Sequence, residues 1–170
     1  SEWDLPITRG GIESKVNEYA MSAVGPGPRA LRHWTAANQA GIKTVAEIQF
    51  NNTCEIASVP YLPVMDLVAE HCRNLAPAAL DGMFIGWTMG GHPSPNLRLA
   101  RELTRSPSPG VDEALNALAR ERFGPDGAAA ARRAWTLLSD AYRQYPFGIG
   151  VVYTCPVQIG PANPLYGTKT

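Results

Sequence analysis

An excess of charge of either sign is missing from this chain. Its 15 Lys and Arg residues balance 15 Asp and Glu residues across 170 positions. A neutral chain offers no electrostatic footprint for a nucleic-acid polyanion or an anionic membrane surface. The arginine groups that do occur (Arg98, Arg101 and Arg105; Arg120 and Arg122; Arg132 and Arg133) sit among acids and helix formers and read as solvated helix faces. Cysteine is scarce. Cys54, Cys72 and Cys155 show no CxxC spacing, and an odd count argues against a disulfide framework and for a reducing, cytoplasmic compartment. Their irregular spacing, away from His33, His71 and His92, argues against a metal site. Every apolar run is too short to span a bilayer, and SEWDLPITRGG has neither the basic nor the apolar part of a signal peptide. The pair Gly90-Gly91 is not GxGxxG, and GxxxxGKS/T, GxSxG, HExxH and EF-hand patterns are missing. No nucleotide, metal or other cofactor is expected.

What the chain does have is apolar content. At 45% hydrophobic residues it can build one domain with a real core, burying roughly 70% of its unfolded surface. GIESKVNEYAMSAV (residues 11–24) alternates apolar and polar positions and predicts a strand. Gly25-Pro26-Gly27-Pro28 breaks it, and a helix is expected over Arg29 to Gln39 with Gly41 as its stop. A buried strand over Thr44 to Phe50 follows, then a long polar loop. A helix over Val64 to Leu75, a strand over Gly82 to Trp87 and a short helix over Asn96 to Thr104, capped by Ser94 or Asn96, come next. Beyond Ser106-Pro107-Ser108-Pro109-Gly110, two amphipathic helices (Val111 to Phe123, Gly127 to Tyr145) joined by Gly124-Pro125-Asp126 predict a helical hairpin. Residues 1–105 thus read as a β/α unit, and residues 106–170 as a hairpin and tail packing on the same core. Alternating strands and helices imply parallel pairing. The fold class is α/β, either a small parallel sheet with flanking helices or part of a (β/α)8 barrel, which at about 250 residues would exceed this chain.

Both parallel-type strands open into elaborate loops, and ligands bind at that edge of an α/β sheet. Glu47 lies inside an apolar strand, where a carboxylate is costly unless it is paired or faces a site. Glu18, near the end of the first strand, is either an outward strand residue or a second cleft carboxylate. In the loop NNTCE, Asn51 and Asn52 offer amide donors and acceptors to a hydroxyl-rich ligand, as they equally would to a turn. Glu55 is a loop acid within reach of a ligand or of solvent. Trp87, at a strand end, presents a flat apolar face that suits a pyranose or a core. His92, in GGHPSPN, could hydrogen-bond a ligand or lie on the surface.

The strings EIQFNNTCEIASVPYLPV, DGMFIGWTMGGHPSPNLRLA and FGIGVVYTCPVQIGPANPLY resemble a bacterial glycoside-hydrolase-like family whose layout is similar to the hexosaminidase-type (β/α)8 barrels. The resemblance spans about Gly11 to Tyr166. It implies that these strands form the later part of a barrel, that the chain is a piece of a longer protein, and that its ligand is a carbohydrate. In an intact protein of this kind, Glu18 or Glu47 would act as general acid or nucleophile-like stabiliser, while Trp87 would stack on the sugar. The paired Asp-Glu of hexosaminidase-type enzymes is absent, so the piece alone is expected to show little turnover. Two other readings stay open. One is a non-catalytic α/β module binding a polyol or a protein. The other is an interaction domain whose helical hairpin docks a partner through Leu115 or Leu118. An open parallel sheet would also expose edges that invite pairing with a second copy.

Overall fold

A computed structural model describes residues 1–17, 19–51, 55, 59–86 and 92–147. Near its start, Gly10 and Gly11 take φ of 56° and 78°, as a two-residue hairpin turn requires and as a Cβ would oppose. They join β1 (Pro6–Arg9) to β2 (Ile12–Lys15) in antiparallel register, Ile7 opposite Ser14 and Arg9 opposite Ile12. This corrects the first predicted strand. The ladder covers only Ile12–Lys15, and it belongs to a hairpin rather than to a parallel sheet. Beyond it Ala20, Met21, Ser22 and Ala23 are buried in succession, which no alternating strand permits.

After this hairpin comes α1 (Pro28–Gln39), which begins with Pro28 in the first turn, where a missing N–H costs nothing. It ends at Gly41, whose φ of 71° reverses the chain. The parallel pair then forms. In it, β3 (Val45–Glu47) lies beside β4 (Gly82–Phe84), with Val45 opposite Gly82 and Glu47 opposite Phe84. Asp81 locks the start of the register. Its carboxylate accepts from Lys43 Nζ at 2.7 Å and from the Thr44 N–H at 2.8 Å. Between the two strands runs α2 (Met65–Leu75), closed by a single 3-10 turn over Ala76–Ala78. The ladder is shorter than the apolar runs 44–50 and 82–87 suggest, although the Ile48 N–H still reaches the Phe84 carbonyl at 2.8 Å.

Ser94 caps α3 (Pro95–Thr104), its Oγ accepting from the Leu97 N–H at 3.2 Å. The last element, α4 (Val111–Tyr142), is two helical limbs separated at Gly124, which takes φ 70° and ψ 173°. Phe123 and Trp135 meet edge to face with ring centroids 6.1 Å apart. A straight helix would separate twelve residues by about 18 Å, so the chain folds back at Gly124 as a hairpin.

Ala46, Ile48 and Phe50 point to one side of the sheet. There α2 contributes Met65, Val68 and Cys72, α3 contributes Leu99 and Ala100, and α4 contributes Leu115, Leu118 and Trp135. Leu115 and Leu118 are therefore core residues of this chain, each stabilising it by about 1.5–3 kcal/mol through burial, and neither is free to dock a partner. On the opposite face Val45 and Phe84 are 59% and 61% exposed. Among the described residues the molecule is a mixed α/β fold with four α-helices, one antiparallel and one parallel strand pair, and 51% helix; these strands close no barrel.

Candidate functional site

Strand alternation decides where the site lies. Ala46 enters the core, so its neighbours Val45 and Glu47 face the other way, towards α1. Between them is a cavity of about 270 Å³ lined by Ser1, Trp3, Tyr19, Arg29, Ala30, His33, Trp34, Val45 and Glu47. The Tyr19 hydroxyl donates to Glu47 Oε2 at 2.7 Å, and the Ser1 nitrogen donates to the Glu47 carbonyl oxygen at 3.1 Å. On the helix side the Arg29 guanidinium stands 5.0 Å from the centre of the Trp3 ring. One carboxylate, one guanidinium, one imidazole, a phenol and two indoles thus share a small concave space. Its volume falls near the lower end of the range usual for ligand pockets, about 300–1,000 Å³.

Of the described residues among those singled out from the sequence as site candidates, Glu47 alone lines this cavity. Asn51 is buried and acts as a clamp: its Nδ2 donates to the His92 carbonyl at 2.7 Å, and Ser94 Oγ donates to its Oδ1. Both halves of the amide are engaged inside the protein, and they tie the end of the β3 segment to the start of α3. Glu55 is fully buried rather than a loop acid facing a ligand. Its Oε2 accepts from the Met21 N–H at 2.7 Å, the Ser22 N–H at 3.3 Å and the Tyr142 hydroxyl at 3.1 Å, and Ser22 Oγ donates to Oε1. His92 is exposed and stacks on Tyr61 with centroids 5.6 Å apart. Glu18, Asn52 and Trp87 lie outside the described residues.

Trp3, Tyr19, Arg29, His33 and Trp34 were not singled out from the sequence as site residues. One signal was available. Ala30, His33 and Trp34 are three and four residues apart on a helix, the spacing of a single face.

Behind the cavity wall lies a buried polar group. His71 Nε2 is 3.2 Å from Ser1 Oγ and 3.4 Å from Glu2 Oε1, and Ser1 Oγ donates to the same carboxylate oxygen. Glu2 is 1% and His71 4% exposed. Burial pushes the His71 pKa below its ordinary 6.5; the Glu2 carboxylate pulls it upward without prevailing, with a smaller upward pull from Glu70 and a downward one from the Ser1 amine. At neutral pH His71 is accordingly neutral, so its hydrogen bond is the one with Ser1 Oγ and its approach to Glu2 is not an ion pair. The sign of the linkage follows. The unfolded chain takes up a proton near pH 6.5 and the folded one only at lower pH, so stability is full above 6.5 and falls as the pH drops below it. A slope of up to about 1.4 kcal/mol per pH unit is expected there from this one group. Urea midpoints measured from about pH 7.5 to 5 should show it, and His71→Gln should flatten it. An unchanged acid slope in that variant would remove His71 from the account.

The cavity offers hydrogen-bond acceptance at Glu47 and at the Tyr19 oxygen, donation at Arg29 and His33, and flat apolar walls at Trp3 and Trp34. Glu47 is the single carboxylate among its described lining residues, so this lining holds no carboxylate pair of the kind most glycosidases use. Among the described residues no three His, Cys, Asp or Glu side chains gather as metal ligands, and no helix is long and apolar enough to cross a membrane. No protein-family model, curated protein or solved structure matches this chain.

Proposed function

We propose that the cavity between α1 and β3 is a saccharide-binding pocket of a glycoside-hydrolase-like protein. The observation that carries this reading is the placement of Glu47. A strand carboxylate turned away from the core, held at 2.7 Å by a tyrosine hydroxyl and bordered by two tryptophans, combines polar and stacking groups in one space. A pyranose asks for both. Its hydroxyls need directional partners, and its C–H face needs a flat apolar surface. With one carboxylate on the cavity, the described residues support binding ahead of turnover. In an intact site Glu47 would serve as general acid or as stabiliser of positive charge opposite a second group.

Titration of the 170-residue chain with a panel of mono- and disaccharides, followed by tryptophan fluorescence, tests the reading. Saturable quenching is expected, with Trp34→Ala and Glu47→Gln each weakening binding about tenfold or more. Nitrophenyl glycosides should not be turned over. If every sugar fails to bind, or if both variants bind like the parent, the pocket is not a saccharide site. The alternative of a non-catalytic α/β module for another small ligand would then hold the field.

A further inference from the structure

We infer that the ligand of this cavity carries an anionic substituent, so that the site selects acidic saccharides over neutral ones. The inference rests on the saccharide reading above and deepens it. Arg29 and Glu47 line the same cavity, yet Arg29 joins no ion pair, with Glu47 or with any other carboxylate, among the described residues. Four arginines of the described surface do pair with acids: Arg98 and Arg105 both reach Glu102, Arg132 reaches Asp66, and Arg143 reaches Glu70. The chain thus holds two opposite charges apart on one cavity.

What Arg29 does touch is the Trp3 ring. Stacking fixes the plane of a guanidinium but satisfies none of its five N–H donors. Those donors form a planar fork that matches a carboxylate, and they also suit a sulfate. His33, one helical turn further along α1, adds a ring nitrogen to the same wall. The strand wall has the opposite character, because the Glu47 carboxylate repels an anion and accepts from neutral hydroxyls. A ligand carrying an anionic group at one end and hydroxyls at the other is therefore oriented by the two walls, anion to α1 and hydroxyls to β3. A neutral sugar offers the guanidinium only hydroxyl oxygens, without the charge and the two-point match of an anion.

Three probes decide the matter: a methyl pyranoside, the corresponding methyl pyranosiduronic acid, and the same pyranoside sulfated at its primary hydroxyl, each titrated into the whole chain at low salt. The acidic sugars are expected to bind about tenfold tighter than the neutral one, and the gap should shrink as ionic strength rises. Whichever acidic probe binds tighter identifies the anion. Arg29→Gln should abolish the preference and Arg29→Lys should keep part of it. Arg29 is exposed, so neither change disturbs the core, and circular dichroism verifies this. Equal affinities for acidic and neutral probes, or a preference that survives Arg29→Gln, would overturn this inference while leaving a saccharide pocket in place. Failure of all three probes to bind sinks both readings.

Discussion

Glu55→Ala is expected to remove about 3–5 kcal/mol of stability, a large share of what a domain of this size possesses. The carboxylate is fully buried and accepts, among the described residues, from the Met21 and Ser22 N–H groups, the Ser22 hydroxyl and the Tyr142 hydroxyl. It joins the irregular segment after the hairpin to the end of α4. Removing it leaves those donors buried without an acceptor, at about 1–3 kcal/mol each if they cannot relax. Glu55→Gln keeps the volume and one oxygen but turns an NH2 group towards donors, so an intermediate loss is expected. Tyr142→Phe removes the hydroxyl that donates to Glu55 and should cost about 1 kcal/mol. Urea unfolding followed by circular dichroism ranks the three. A Glu55→Ala protein within 1 kcal/mol of the parent, with altered sugar binding, would return this residue to the ligand site that its position in NNTCE suggests.

The contrast between Glu47 and Glu55 shows what was legible in the sequence. Glu47 interrupts an apolar strand, and the period of two fixes its face once its neighbours are known to be core. Glu55 lies in a polar loop, where nothing local tells a solvated acid from a buried one; its partners are 33, 34 and 87 residues away in the chain. Asn51 is a similar case, engaged by residues more than forty positions distant. Helices were easier, because their signals are local. Pro28 marks a start, Ser94 a cap, and Gly41 and Gly124 the points where the backbone must leave the helical region. Strand pairing was not local. The β1 partner lay unnoticed in a segment that reads as turns, although Gly10-Gly11 between two short runs is a hairpin signal. The helix side of the cavity stayed hidden for the same reason, since Trp3, Tyr19 and Arg29 belong to three segments that only the fold brings together.

Gly27→Ala should be the most damaging single-methyl addition among the described glycines, for a reason visible in the backbone alone. A Cβ at Gly27 would overlap the Trp3 carbonyl oxygen and lie 2.6 Å from the Glu2 carbonyl oxygen and 2.8 Å from its carbon. All of these are main-chain atoms that no rotamer change can move aside. The Gly27 N–H also donates to the Ser1 carbonyl at 2.8 Å, so residues 1–3 lie directly against the turn that starts α1. The substitution must separate the two segments. It would pull Trp3 off Arg29, open the Glu2–His71 contact and unmake one wall of the cavity. Overpacking of this kind costs about 3 kcal/mol or more where the neighbour cannot yield. Gly110→Ala is the matched control: Gly110 also precedes a helix, its φ is −61°, and the nearest atom to an added Cβ is the Glu113 Cβ at 4.0 Å. That variant should stay within about 1 kcal/mol of the parent. The two proteins, compared by denaturant midpoint and by the emission maximum of tryptophan, should separate clearly, with red-shifted emission in Gly27→Ala as Trp3 enters water. Equal stability and equal emission would mean that residues 1–3 do not rest on this turn, and the cavity would then lose Ser1 and Trp3 from its lining.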